Sequence, residues 1–176
     1  MFLQTYSGRA VDPLAPRVDD IDRRDIARAL SLQCRFGGHI RRFYSVAQHS
    51  FLVSQAVPAA DALWGLLHDA SEAYLMDLPT PVKETGPLRG YRGVEAQLQR
   101  TIYQAFGLRG QEPASIREAD LGLLLLEVDA LHPSPAAFAA HRGQVPIPAV
   151  TVEPWRTPAI AEAAFLQRLD ELLREA

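Results

Sequence analysis

The sequence predicts an all-α fold in one domain over residues 1–176, with a short extended or stranded segment near the termini. Three observations predict it. Apolar residues recur at three- and four-residue intervals through successive stretches of the chain, which is the period of one helix face. Proline and glycine clusters bound those stretches. And 176 residues at 48% hydrophobic, with no internal repeat, low-complexity tract or linker, suit a single core.

Residues 1–19 contain Pro13 and Pro16 and are expected to be irregular or short-stranded. The first helix is predicted over residues 20–34, DIDRRDIARALSLQC. Ile21, Ile26, Ala29 and Leu30 lie near helical spacing there, and Asp20 or Asp22 can cap the N-terminus. RFGGH ends it with two glycines. SVAQHSFLVSQAV is the second helix, capped by Ser45 and stopped before Pro58. A third runs from Ala59 through Tyr74 in AADALWGLLHDASEAY, and the loop MDLPTPVKETGP follows, stiffened by Pro79 and Pro81. In YRGVEAQLQRTIYQAFG, Val94, Leu98, Ile102 and Phe106 form a stripe that Gly107 terminates. Another helix starts near Pro113 in PASIREADLGLLLLEVDALH. Residues 133–158 are proline-rich with alternating apolar residues (QVPIPAVTVEPW) and predict a short strand or extended segment. The last helix covers residues 157–174, carrying Ile160, Ala164, Leu166, Leu169 and Leu173.

Charge narrows the partners. Lys and Arg number 18 against 21 Asp and Glu, a net charge of −3, whereas nucleic-acid-binding domains carry a basic excess or stripe. Duplex nucleic acid and anionic membrane are therefore not expected partners. A small anionic ligand, which needs only a few local cations, remains open. No apolar run approaches the roughly 18 residues of a membrane-spanning helix, and MFLQTYSGRA shows no secretory leader. The single cysteine, Cys34, makes no internal disulfide, fits a reducing cytoplasm and reads as a small buried apolar residue.

Four residues stand out: His49, His68, Asp69 and Asp120. Each falls in a predicted helix among apolar neighbours, where an ionisable group costs free energy unless it is paired or holds a metal. Imidazole nitrogen and carboxylate oxygen suit Zn, Mn, Fe or Co. Adjacent helical residues point about 100° apart, so His68 and Asp69 can approach one ion only from its edge. Other helices must supply the remaining ligands. Taken singly, each residue has a plainer reading, a hydrogen-bonded core histidine or a capping aspartate. Phe43, Tyr44, Trp64 and Tyr74 are read mostly as core, and His132 and His141 have no evident ligand partner.

The order His49, His68-Asp69, Asp120 resembles the H…HD…D signature of the HD-domain phosphohydrolase superfamily. HDASEAYLMDLPTPVK is more specific and resembles the matching segment of the bacterial 5′-deoxyribonucleotidases in that superfamily. TYSGRAVDPL, ALSLQCRFGGHIRRFYSVAQHS, IREADLGLLLLEVDAL and VEPW resemble small bacterial and prophage HD phosphohydrolases, so the likeness covers residues 4–170. It implies an HD-domain helical bundle, homo-oligomeric by analogy. It implies that His49, His68, Asp69 and Asp120 bind one divalent transition metal, whether Co, Mn, Zn, Fe or Ni. It places Glu72 by the attacking water or the phosphate and Asp77 on the sugar hydroxyl. A phosphate-binding arginine precedes the first histidine in those relatives; Arg35 is the nearest match, displaced by a residue, and Arg41 and Arg42 are alternatives.

The implied reaction is hydrolysis of a deoxynucleoside 5′-monophosphate, with Asp69 and Glu72 as the catalytic groups. Triphosphate release from a dNTP, for which Lys83 and Arg89 are the available extra cations, and a non-catalytic nucleotide sensor are the alternatives. The chemistry is coherent. A divalent ion acidifies water and polarises a phosphoryl oxygen, and guanidinium forks match phosphate oxygens. Glu72, one turn past His68 on the same predicted face, can move a proton.

Overall fold

The chain starts with a small antiparallel hairpin, β1 (Leu3–Gln4) paired to β2 (Ala10–Val11), with Leu3 opposite Val11. Its turn is held by Asp25, whose carboxylate accepts from the Ser7 N–H at 2.6 Å and the Ser7 hydroxyl at 2.7 Å. The structure is a computed structural model describing residues 2–83, 86–88 and 90–175. Arg89, one of the cations considered for a triphosphate, lies outside the described residues.

Helix α1 (Arg23–Leu32) is capped by Asp22, which accepts from the Arg24 N–H. It is shorter than the predicted 20–34 because Ile21 is extended and the Val18–Asp20 segment before it is a separate 3-10 turn. Helix α2 (Val46–Ala56) matches expectation: the Ser45 hydroxyl accepts from the Gln48 N–H at 3.1 Å and the chain turns extended at Val57, before Pro58. The predicted third helix is in pieces. A 3-10 turn at Ala59–Asp61 leads into α3 (Ala62–Leu67), residues 68–71 are turns, and α4 (Glu72–Leu75) follows. Then come α5 (Thr80–Lys83), α6 (Tyr91–Ala105), α7 (Ala114–Leu131) and α8 (Pro158–Glu175).

Val53, Leu66, Leu67, Leu98, Ile102, Leu123, Phe165 and Leu169 are fully buried and join these helices in one core. Tyr44, Trp64 and Tyr74 belong to it as expected, while Phe43 is 39% exposed. Helix α2 is the centre, packing on α1, α3, α7 and α8. Its approach to α3 is close enough to crowd any side chain at position 65: a methyl on Gly65 would lie 3.2 Å from Ser54 Cα.

No strand forms within residues 133–158 among the described residues. After a 3-10 stretch at Pro135–His141, the segment runs as an extended strap over α7 and α2. A methyl on Gly122 would stand 2.5 Å from the Pro146 carbonyl oxygen. Gln48 docks the far end, donating to Glu153 O at 2.7 Å and accepting from the Trp155 N–H at 3.0 Å. Among the described residues no helix is long and apolar enough to cross a membrane.

Candidate metal centre

Three elements converge at one end of the core. Helix α2 presents His49, the turn after α3 presents His68 and Asp69, and α7 presents Asp120. The two histidines have defined tautomers. The His68 Nδ1–H donates to the Gly65 carbonyl at 2.8 Å, which can only accept, and the His49 Nδ1–H donates to the buried Glu127 carboxylate at 2.7 Å. In the neutral rings that leaves the lone pairs on the Nε2 atoms, which face each other at 3.2 Å.

Two carboxylates close on the same point. Asp69 Oδ2 is 3.2 Å from His68 Nε2 and 3.6 Å from His49 Nε2. Asp120 Oδ1 is 3.1 Å from His49 Nε2 and 4.0 Å from His68 Nε2. Ligand atoms about 2.1 Å from one ion lie roughly 3.0 Å apart at octahedral cis edges and roughly 3.4 Å apart in a tetrahedron. The observed spacings run from 3.1 to 4.0 Å, from just above the octahedral value to beyond the tetrahedral one, so the donors around the two imidazoles fit a divalent metal. His49, His68 and Asp69 form the tightest group, with ligand atoms within 4.8 Å of one another.

The electrostatics ask for positive charge. Burial works against a charged His68, yet the adjacent Asp69 carboxylate outweighs it and pushes the imidazole up to about 10. His49 is also raised: burial and Arg35 oppose, and Glu127 and Asp120 prevail. Asp69 sits well below the usual carboxylate range despite burial, held there by the histidines and Arg35.

Behind this cluster lies an ion-pair layer. Glu127 is 0% exposed and receives Arg35 Nε at 3.1 Å and Nη2 at 2.9 Å, while Arg35 Nη1 is 3.7 Å from Asp69. Arg35 is thus at the site, but engaged with carboxylates. Arg42 is at the surface, paired to Glu153 at 3.0 Å, and Arg41 reaches the Pro133 carbonyl. Neither is among the described residues lining the cavity at the cluster.

That cavity, about 580 Å³, is lined by His68, Asp69, Glu72, Lys83, Arg92 and Asp120, with further residues of α6. Glu72 is 6% exposed and its Oε2 is buried with no partner. Burial, then Asp69 and Asp77, push its carboxyl up to about 9. Lys83 Nζ stands 3.6 Å from Glu72 and 2.6 Å from Glu95. Asp77 lies beside the cavity rather than in its lining, close enough to Arg35 and Asp69 to feel both, and its carboxyl is raised chiefly by burial. Gln33 holds the segment between Glu72 and Asp77, donating to Glu72 O at 2.9 Å and accepting from the Asp77 N–H at 3.0 Å.

Glu127 was not anticipated. The available signal was a lone acid inside the apolar run LGLLLLEV, seven residues and so about two turns past Asp120 on the same helix face.

No family model matches the chain. It is 41% identical over 126 residues to the uncharacterized protein YfdR of Escherichia coli, a match covering 72% of this chain and 70% of that protein. It is 38% identical over 122 residues to an uncharacterized protein of Rhodobacter capsulatus, covering 64% of this chain and 62% of that relative, under two thirds of its length.

Proposed function

The chain belongs to the family of the uncharacterized protein YfdR of Escherichia coli, and from its site we propose that it is an HD-domain, metal-dependent phosphohydrolase acting on a nucleotide, with a deoxynucleoside 5′-monophosphate as substrate. The observation that carries this reading is the pair of imidazoles whose Nε2 atoms face each other at 3.2 Å, flanked by two carboxylates and opening on a cavity. Two lone pairs at that distance repel unless a cation or proton lies between them. His49, His68, Asp69 and Asp120 would hold the ion, which when bound supplies Lewis acidity and an acidified water to a phosphoryl group.

The remaining groups divide the work. Glu72 Oε2, buried, unpartnered and protonated at neutral pH in the metal-free chain, can pass a proton to an ester oxygen as it leaves. Lys83 offers an ammonium to phosphate oxygens entering the cavity. Arg35 acts through Glu127 and Asp69, holding both in place. Asp77, by resemblance, accepts a sugar hydroxyl.

The test is a nucleotide panel with Co or Mn that resolves inorganic phosphate from triphosphate, with Asp69→Ala as control. Phosphate from deoxynucleoside monophosphates is expected. Triphosphate as product would replace the substrate assignment, and nucleotide binding without turnover by the loaded protein would leave a sensor instead. Glu72→Ala should keep its metal content and lose about 100-fold in turnover; loss of metal would make Glu72 a ligand.

A further inference from the structure

We infer that Gln99 is a positioning residue whose carboxamide splices open the helix carrying His68 and Asp69, and so sets the geometry of the metal cluster. The inference rests on the metal reading above. Gln99 projects from α6, and its Nε2 donates to Leu67 O at 2.6 Å while its Oε1 accepts from the Ser71 N–H at 2.9 Å. Those two backbone groups are four residues apart, the pair that would bond to each other in an unbroken α-helix. The side chain has been inserted into the ladder at one rung, a recognised cause of a helix break.

The consequence is visible on either side of that rung. Ala70 N–H bonds Leu67 O at 2.9 Å, Glu72 N–H bonds Asp69 O at 3.0 Å, Ala73 N–H bonds Ala70 O at 3.2 Å and Tyr74 N–H bonds Ser71 O at 3.0 Å. All four are three-residue steps, so these turns wind tighter than an α-helix, toward the roughly 120° per residue of 3-10 geometry, until Leu75 N–H to Ser71 O at 3.1 Å and Met76 N–H to Glu72 O at 2.9 Å restore four-residue steps in α4. Residues three apart then stack on one face, whereas in an α-helix they stand roughly 60° apart. Asp69 and Glu72 are such a pair, and both line the cavity. Asp69 Oδ2 stands 3.2 Å from His68 Nε2 within this turn, and the two Gln99 bonds fix the backbone on either side of that pair, at Leu67 and at Ser71. Nothing in the stretch LLHDASEAY forces a break: it holds no proline or glycine. The splice comes from α6.

The experiment is Co(II) titration followed by the visible d–d spectrum at pH 8, on wild type, Gln99→Met, Gln99→Glu and His68→Ala, with melting curves alongside. Gln99→Met keeps length and bulk and removes both bonds. It should stay folded, bind Co(II) about 10- to 100-fold more weakly, the usual effect of losing an outer-shell support, and show a shifted d–d band. Gln99→Glu keeps the acceptor for Ser71, loses the donor to Leu67 and adds a negative charge near the ion. Charge alone would tighten binding, so weaker binding supports the splice, and this variant decides if Gln99→Met does not fold. Wild-type affinity and spectrum in both variants, with His68→Ala unable to bind, would overturn the role of Gln99 and leave the metal reading standing. No Co(II) binding by wild type would remove both.

Discussion

Gln33, Gln48 and Gln99 do the same thing in three places. Each carboxamide gives an N–H to one backbone carbonyl and takes one backbone N–H. A buried peptide group without a partner costs about 1–3 kcal/mol, so these side chains pair backbone groups where regular structure is interrupted or absent. Gln33 also steadies Met76, whose φ of 71° is uncommon for a side chain of that size, with help from the Tyr91 hydroxyl, which donates to Met76 O at 3.2 Å. Gln33→Leu should lower stability by about 1–3 kcal/mol in urea unfolding and, with the nucleotide proposed above as substrate, raise KM more than it lowers kcat, because Asp77 loses its tether. An unchanged KM would detach Gln33 from the substrate side. Glu127→Leu is the harsher change. It strands Arg35, 11% exposed at its side chain, without its buried partner, and a broken buried pair costs about 3–5 kcal/mol. Urea unfolding with little loss in that variant would mean that Asp69 alone holds Arg35.

At the scale of elements, α2 and α3 set the distance between the imidazoles, and Gly65 sets the distance between the helices. Gly65→Ala places a methyl 3.2 Å from Ser54 Cα and 3.3 Å from Ser54 N, backbone atoms that cannot rotate away. Overpacking of this kind costs about 1–3 kcal/mol, and Co(II) affinity should fall with it, since His49 and His68 are carried apart. Gly93→Ala is the contrast. That position in α6 meets nothing within 4 Å, so the change should stabilise by about 0.5–1 kcal/mol and leave metal binding alone. Thermal melts and Co(II) titrations of the two variants check both halves. Element boundaries were legible where the signal is local: Ser45 and Pro58 bracket α2, and both were read from the sequence. The break after Leu67 was not legible, because Gln99 lies 28 residues beyond Ser71.

For the molecule as a whole, stability, charge and metal are linked. In the metal-free chain Glu72 rises from 4.5 to about 9, burial being the main cause, and His68 from 6.5 to about 10, where Asp69 overcomes burial. Both folded values exceed the unfolded ones, so the folded state holds the extra protons. Their contribution is complete below the unfolded values and is lost as pH rises, across 4.5 to about 9 for Glu72 and 6.5 to about 10 for His68. Metal-free protein should therefore melt at progressively lower temperature from pH 6.5 to 9, and Glu72→Gln should flatten the decline. A level wild-type curve would contradict these shifts. Metal competes with protons for the same nitrogens and oxygens, so the rise in Tm on adding Co(II) should grow with pH, reaching about 2.7 kcal/mol of stabilisation at 100 times Kd.

The amino-acid sequence by itself determined that the chain is helical, where most helices lie, and which two histidines and two aspartates deserved to be placed together. Period, caps and breakers act within a turn or two, and a buried ionisable group is conspicuous in an apolar run wherever it lies. Only the tertiary structure decided that Glu127 holds His49, across 78 residues, that Arg35 faces carboxylates, and that a glutamine from α6 opens the turn at His68. Each of these is one specific bond between distant segments, and such a bond leaves no mark on the residues next to it in the chain.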